Sequence, residues 1–349
     1  MHPWQDRTNR PAWSWLQRDK LSTVWLQALP SPDTSLTSAE FSETAAAALC
    51  LPSQACADIL GEVVTGTAVV DIYGEAVLSA TTISGDHFRK RHDKLKMKLL
   101  QLCTWAGLEA EVEVFNLFAA SIPQQGLNRM ERGRKRQSIV PDMRISIPVE
   151  GNQVQRLHEI KVISSSKTRY NPHREGQQAV RAVDKRAGEL TNEYLTKARN
   201  TDREFCGTVP GMTGPVETKL GSMGQVEGIV LGATGEGSEP LHALIHHLAL
   251  SRVRVAGPQV GRRGQVRREE AELAITTSFL RRTISVCGVR SQAWTLLSRL
   301  EVLGPGAAEA ARRRGFAKEL ERRYSNQRRA EALSAAQGRA VLRRGHFHT

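Results

Sequence analysis

The sequence has few aromatic residues, few cysteines and no long apolar run. Phe, Trp and Tyr make up 5% of its 349 residues. Its cysteines are Cys50, Cys56, Cys103, Cys206 and Cys287. They are odd in number, widely spaced and without a CxxC pair, which is typical of buried thiols in a reducing compartment. No run approaches the ~18 apolar residues of a membrane span, and residues 1–20 do not resemble a signal peptide, so a nuclear or cytoplasmic location is expected.

The sequence also has fewer acidic than basic residues. Lys and Arg number 49 against 36 for Asp and Glu, which gives a formal net charge of +13, and the sequence pI is about 9.9. Such a balance favours an anionic partner, and nucleic acid is the expected one for a chain without a membrane span. The alternative is a generally basic protein with a solvated tail, and charge alone leaves it open.

Three consecutive segments are predicted. Residues 1–83 form a mainly helical lead-in, in which the stretch from Thr37 to Glu40 has the spacing of a helix capping box. Residues 84–255 hold a mixed core of helices and strands. Residues 256–349 contain a linker over 256–267 and then an arginine-dense helical region, which is either a nucleic-acid contact or a solvated tail.

Within the core segment, helices and strands alternate in a defined order. Apolar residues recur every three or four positions over 84–107, which predicts a helix. Strand-like segments follow at Glu109–Phe118, Ser138–Ile147 and Leu157–Ile163, and a second helix is predicted over 176–199. This order predicts a mixed α/β (α+β) fold with mainly helical N- and C-terminal extensions.

Three charged residues stand on the second and third predicted strands. Side chains alternate between the faces of a strand, so Glu159 and Lys161 share one face while Ile160 points into the core. Adjacent strands lie about 4.8 Å apart, so Asp142 on the second strand can share one cation with Glu159. Two carboxylates, water and a substrate phosphate are what Mg²⁺ accepts, and Lys161 can orient the attacking water or stabilise phosphoryl charge. The alternative is a solvated sheet face.

Basic residues flank this stretch in two groups, which we predict to contact a nucleic-acid backbone. The first lies on the helix 84–107, opposite its apolar stripe, and the second lies in the connection between the first two strands. The residues concerned are Arg89, Lys90, Arg91, Lys94, Arg132, Arg134, Lys135 and Arg136, with Lys96 and Lys98 on the same helix face. The alternative for both groups is a solvated surface.

The motif Pro141-Asp142 followed by Glu159-Ile160-Lys161 resembles the active site of the PD-(D/E)xK nuclease superfamily. Further blocks resemble, in order, the restriction-like endonuclease region of non-LTR retrotransposon polyproteins. They lie at 24–52, 70–80 (VDIYGEAVLSA), 85–95 (GDHFRKRHDKL) and 215–224 (PVETKLGSMG). The resemblance implies a restriction-endonuclease-like αβββαβ core that nicks target DNA with Mg²⁺ or Mn²⁺. Asp142 and Glu159 are its implied metal ligands, and Asp142, Glu159 and Lys161 are its implied catalytic residues.

The resemblance also implies two accessory residues and the loss of a zinc site. Tyr194 matches a tyrosine of the family on the following helix, although Leu190 replaces the basic residue expected one turn earlier. His92 matches the family's basic-helix block, and either positions substrate or belongs to the apolar stripe. The chain keeps Cys56 of the zinc knuckle, but Ala76 and Ala80 stand at ligand positions, so zinc is not expected.

The expected function is therefore that of an isolated endonuclease region, for which a reverse transcriptase acting in trans is a possible partner. Two alternatives stay open. The first is a catalytically inactive relic that still binds DNA or RNA. The second is an RNA-packaging or structural protein that depends on its arginine-rich C-terminal region.

Overall fold

The structure is a computed structural model in which residues 19–303 are described, apart from the gaps at 30, 32–33, 50, 66–67, 82, 84, 133–138, 150–151, 165–172, 176–177 and 257–261. The chain divides into two compact units. The first combines the described residues up to Gln27 with Phe88–Val289, and the second combines Ala28–His87 with the described residues from Arg290 onward. Each unit thus joins stretches that are distant in sequence, unlike the three consecutive segments that were predicted.

The described residues form a mixed α/β structure. Their α-helices are α1 (Ser38–Ala48), α2 (Glu75–Ser79), α3 (His87–Trp105), α4 (Gln124–Arg132), α5 (Ala182–Thr201), α6 (Pro215–Ser222), α7 (Glu239–Ala256) and α8 (Arg262–Leu300). Their strands are β1 (Val63–Thr65), β2 (Ala68–Val69), β3 (Ala110–Val112), β4 (Met143–Val149), β5 (Asn152–Val162), β6 (His173–Glu175), β7 (Gln178–Val180) and β8 (Val226–Leu231). In this part of the chain, every helix is too short or too polar to span a lipid bilayer.

A four-stranded sheet organises the first unit. Its strand order is β3-β4-β5-β8; β3 with β4 and β4 with β5 pair antiparallel, and β5 with β8 pairs parallel. A parallel neighbour needs a crossover, and α5 provides it between β5 and β8. The main core elements therefore follow one another as α3, β3, β4, β5, α5 and β8.

Alternation along the strands separates the two faces of this sheet. Met143, Ile145 and Ile160 are buried on one face, in a cluster with apolar residues of α3, α7 and α8. On the other face, Leu157 packs in a cluster with Tyr194 of α5. The predicted alternation is confirmed, because Met143 and Ile145 share the face of Ile160 while the intervening positions point the other way.

The second unit has its own small apolar core. The buried residues of this core are Cys56, Ile59, Val70, Val77, Leu78, Leu296 and Leu300. At the start of α1, the Thr37 side chain accepts from the amide of Glu40, and the Glu40 carboxylate accepts from the amide of Thr37. This reciprocal arrangement confirms the predicted capping box.

Several predicted boundaries are wrong for local reasons. The strand predicted over Glu109–Phe118 is limited to β3, because Glu113 and Asn116 have positive φ angles of 53° and 58° that interrupt an extended chain. The helix predicted from residue 176 begins only at Ala182, after β7. Part of the predicted linker over 256–267 belongs to α8, which begins at Arg262.

Candidate active site

The two predicted acidic residues face each other across neighbouring strands. In the antiparallel pairing of β4 with β5, Met143 stands opposite His158. One residue further along, this register places Asp142 opposite Glu159, on the face of the sheet that α5 covers. The charge of Asp142 acts on Glu159, so the two carboxyl groups lie close to each other. The structure therefore brings together the pair that the sequence placed on adjacent strands.

Asp142 is fixed by two donors from different elements. Its Oδ2 accepts a hydrogen bond from the Ile160 amide at 2.8 Å and lies 2.9 Å from Nε2 of His92 on α3. Burial raises the pKa of Asp142, but the hydrogen bond and charge of His92 and the Ile160 amide outweigh burial and hold this pKa below its usual value. Asp142 is therefore the member of the pair that stays ionised most readily.

Glu159 has the opposite electrostatic character. Burial and the negative charge of Asp142 raise its pKa, although the hydroxyl of Tyr194 and the charge of Lys161 oppose the shift. Its Oε2 accepts a hydrogen bond from Tyr194 at 2.7 Å, and its Oε1 lies 3.4 Å from Nζ of Lys161. Two carboxyl groups so close repel each other when both are charged, and a bound cation relieves that repulsion.

Tyr194 connects α5 to the end of the sheet. Its hydroxyl lies 2.7 Å from Glu159 Oε2 and 3.0 Å from the carbonyl oxygen of Val140, so one hydroxyl proton faces two acceptors. Its ring is almost fully buried, and burial together with the charge of Glu159 raises its pKa. The phenol therefore remains a neutral donor that orients Glu159.

His92 bridges Asp142 and its own helix. Nε2 faces Asp142, while Nδ1 lies 3.1 Å from Oδ1 of Asp93. Burial lowers the pKa of His92, but the hydrogen bonds to Asp142 and Asp93 outweigh burial and raise the pKa overall. Of the two interpretations that the sequence left open, the structure places His92 in contact with the acidic pair, although its role there stays a proposal.

The side chain of Lys161 extends from the acidic pair toward solvent. Its side chain is 41% exposed, compared with 12% for Glu159 and 15% for Asp142. The carboxylates are therefore shielded at the base of the site, and the ammonium group stands at its open side. This is the arrangement in which a lysine can reach a bound anion while it still contacts a carboxylate.

The predicted basic face of α3 is only partly exposed. Arg89 and Lys90 are exposed, but Arg91 is 3% exposed and donates a hydrogen bond to the carbonyl oxygen of Val162 at the end of β5. The ammonium group of Lys94 is also buried. In this conformation Arg91 cannot reach a phosphate, which corrects the expectation of a continuous exposed face.

Two further lysines of the same helix face, Lys96 and Lys98, are buried as well. Lys96 pairs with Glu113 at 2.8 Å, beyond the end of β3. Of the basic loop, Arg134, Lys135 and Arg136 lie outside the described residues, and so does the side chain of Arg132. The predicted contacts of this loop therefore stay predictions.

Other predicted positions are buried in apolar surroundings. Cys56 is buried in the apolar cluster of the second unit, and Ala80 is also buried there. Leu190 packs in an apolar cluster against Val230 on the α5 side of the sheet. Among the described residues, no group of three or more His, Cys, Asp or Glu side chains is arranged to hold a metal ion.

One residue beside the acidic pair could not be recognised from the sequence pattern. Gly228 of β8 pairs with Glu159 in the parallel register. A Cβ at Gly228 would lie 2.6 Å from Cα of Ala187, so the missing side chain lets α5 lie close to the sheet. Only the assembled packing of α5 on β8 reveals this requirement.

Comparisons with known proteins identify no relative: no family model, no curated protein and no solved structure matches the chain.

Proposed function

We propose that the chain is a metal-dependent DNA endonuclease, which hydrolyses phosphodiester bonds and nicks target DNA, and that it derives from a non-LTR retrotransposon. The observation that carries the proposal is the facing pair Asp142 and Glu159, with Lys161 and Tyr194 both bound to Glu159. Two close carboxyl groups with a lysine at the open side form a site suited to phosphodiester hydrolysis.

The order of the core elements supports this proposal. The resemblance drawn from the sequence implies a restriction-endonuclease-like core in which one helix precedes three strands, and a further helix and strand follow. The elements α3, β3, β4, β5, α5 and β8 follow that order, with Asp142 directly before β4 and Glu159 on β5. Fold likeness alone does not give function, which depends on the side chains of the site.

The donor set is suitable for Mg²⁺ or Mn²⁺. Asp142 and Glu159 would hold the ion, whose remaining positions water and substrate phosphate can fill, since Mg²⁺ rarely has a ligand shell made only of protein. Such an ion would polarise the phosphodiester and lower the pKa of a bound water. Burial and the nearby charge of Asp142 both raise the pKa of Glu159, and a cation between the two carboxyl groups would relieve their repulsion.

The protein residues have separate tasks in this scheme. His92 and the Ile160 amide hold the Asp142 carboxylate in one orientation. Tyr194 does the same for Glu159. Lys161 stabilises negative charge on the phosphoryl oxygens or orients the attacking water, because its ammonium group stands at the open side of the pair.

A second candidate is a nucleic-acid-binding protein of the same fold without catalysis. It is favoured by the protein contacts that both acidic residues already have and by the burial of Arg91, which leaves a smaller basic face on α3. A basic RNA-packaging protein is a weaker candidate. For that protein, deletion of residues 305–349 should abolish binding, whereas the endonuclease and the non-catalytic binder should lose only part of it.

The test is a nicking assay on supercoiled plasmid DNA with Mg²⁺ or Mn²⁺. Asp142→Asn preserves the size of the side chain and is expected to slow nicking by about two orders of magnitude or more, since it removes a charged ligand. Glu111→Gln is the matched control, because Glu111 lies on β3 and pairs with Arg144 rather than with the site. Equal nicking by wild type and Asp142→Asn overturns the proposal, and binding without nicking favours the second candidate.

A further inference from the structure

Lys197 lies on α5, one helical turn beyond Tyr194, and contacts the tyrosine of the site. Its Nζ is 4.3 Å from the centroid of the Tyr194 ring. A cation over an aromatic face is attracted by the negative potential of that face. The ring therefore holds the ammonium group of Lys197 beside the residue whose hydroxyl orients Glu159.

Unlike the neighbouring arginines, Lys197 has no carboxylate partner among the described residues. Arg181, at the N-terminus of α5, pairs with Asp19 and Asp184, and Arg186 pairs with Glu189 and Glu193. Arg199, two residues after Lys197, pairs with Glu217 on α6. These arginines are neutralised within the protein, whereas the ammonium group of the half-buried residue Lys197 is left to interact with another anion.

Lys161 and Lys197 are both connected with Glu159, the first directly and the second through Tyr194. Lys161 contacts Glu159 directly at 3.4 Å, and Lys197 lies across the ring of Tyr194. The ring occupies one side of the Lys197 ammonium group, which has three N–H donors. We propose that Lys197 binds a backbone phosphate of the nucleic acid next to the phosphate that is cleaved. This inference rests on the proposed function, and it names a second phosphate contact of the same site.

A purely structural role for Lys197 would leave a different signature. If the ammonium group only supported the Tyr194 ring, its removal would lower thermal stability and disturb Glu159, but it would not alter the number of counterions released on binding. A phosphate contact changes that number, because each neutralised phosphate releases bound counterions. The salt dependence of binding therefore separates the two roles.

The experiment measures binding of a short DNA duplex over a range of salt concentrations, with EDTA present so that no cleavage occurs. Lys197→Met is expected to reduce the slope of log affinity against log salt by about one and to weaken binding about tenfold near 0.1 M salt. Lys197→Arg is expected to restore both values, since it keeps the charge. Lys219→Met is the matched control, because Lys219 is an exposed lysine on α6.

Each outcome decides between the two proposals. If wild type nicks DNA but Lys197→Met binds with an unchanged slope, the phosphate contact is overturned and the endonuclease stands. If wild type binds without nicking and Lys197→Met lowers the slope, the contact stands and the catalytic proposal fails. Loss of thermal stability in Lys197→Met without a change of slope assigns Lys197 a structural role, and absence of any DNA binding overturns both proposals.

Discussion

The hydroxyl of Tyr194 on α5 donates a hydrogen bond to Oε2 of Glu159 on β5 at 2.7 Å. A residue on the crossover helix thereby orients a carboxylate on the strand that precedes this helix. Glu159 also contacts Asp142 and Lys161. The tyrosine therefore restricts the position of one proposed metal ligand without itself being a ligand.

Tyr194→Phe should separate this orienting role from the packing of the ring. The ring stays in place, but Glu159 loses its donor, so a higher Mg²⁺ concentration is expected for half-maximal nicking. A loss of about 10- to 100-fold in metal affinity or in activity is the usual effect of removing such a partner. A Mg²⁺ titration of plasmid nicking measures it.

Tyr73→Phe is the control for this variant, because Tyr73 belongs to the second unit of the chain. The orienting role is refuted if Tyr194→Phe and wild type have the same Mg²⁺ dependence. In EDTA, Tyr194→Phe should bind DNA with the same slope of log affinity against log salt as wild type, since the ring that holds Lys197 is unchanged.

The side-chain alternation of the strands was predictable from the sequence, and so was the meeting of the acidic pair. Period-two alternation put Asp142 on the polar face of one strand and Glu159 on the polar face of the next. The antiparallel pairing of β4 with β5 brings these two polar faces together. Tyr194 could be connected with the site only through the resemblance, because helical spacing alone does not tell which sheet residue a helix faces.

The environment of α3 could not be predicted from its pattern. An apolar stripe indicates one buried face, but the polar face of this helix is also partly covered. Arg91 donates a hydrogen bond to the carbonyl oxygen of Val162, and Lys96 donates one to Glu113. These partners are 71 and 17 residues away in the sequence. Contacts of this kind depend on where the strands end, and β3 ends early because Glu113 has a positive φ. Long basic side chains can therefore be internal while their sequence suggests a solvated surface.

His158 makes the stability of the protein dependent on pH. It is fully buried on the opposite face of β5 from Glu159, and neither of its ring nitrogens has a hydrogen-bond partner in the described structure. Burial, with the positive charges of Arg156 and His247, lowers its pKa to about 3. The unfolded chain, with a histidine pKa near 6.5, binds the proton more readily, so the free energy of unfolding falls as pH decreases from 6.5 toward 3.

His158→Leu should remove this dependence. The wild-type free energy of unfolding is expected to fall by about 1.4 kcal/mol for each pH unit below 6.5 because of this residue, and the variant should lack that contribution. At neutral pH the variant should be more stable by about 1–3 kcal/mol, since it no longer buries unpaired nitrogens. Urea unfolding at several pH values measures both effects.

The control is His246→Gln, because His246 is an exposed position on α7. Parallel stability curves for wild type and His158→Leu between pH 7 and 5 would show that His158 does not titrate on unfolding. A less stable variant at neutral pH would instead show that the interaction of His158 with Glu227, at 3.6 Å, is favourable.

Gly228→Ala should disturb the site from a distance by forcing α5 away from β8. The added methyl group would meet the backbone of Ala187, with its Cα at 2.6 Å and its carbonyl oxygen at 2.8 Å, and backbone atoms cannot move aside by a change of rotamer. A destabilisation of about 1–3 kcal/mol is expected from such overpacking. Because Gly228 stands beside Glu159 in the sheet, the displaced helix should also carry Tyr194 away from Glu159 and slow nicking.

Gly188→Ala on the same helix provides the matched control. A Cβ at Gly188 meets no atom within 4 Å, so alanine there should leave the packing intact and stabilise α5 by up to about 1 kcal/mol. Thermal unfolding and nicking, both measured below the melting temperature of the weaker variant, compare the two substitutions. If Gly228→Ala is as stable and as active as Gly188→Ala, the close approach of α5 to β8 is not what positions Tyr194, and the orientation of Glu159 must depend on the sheet alone.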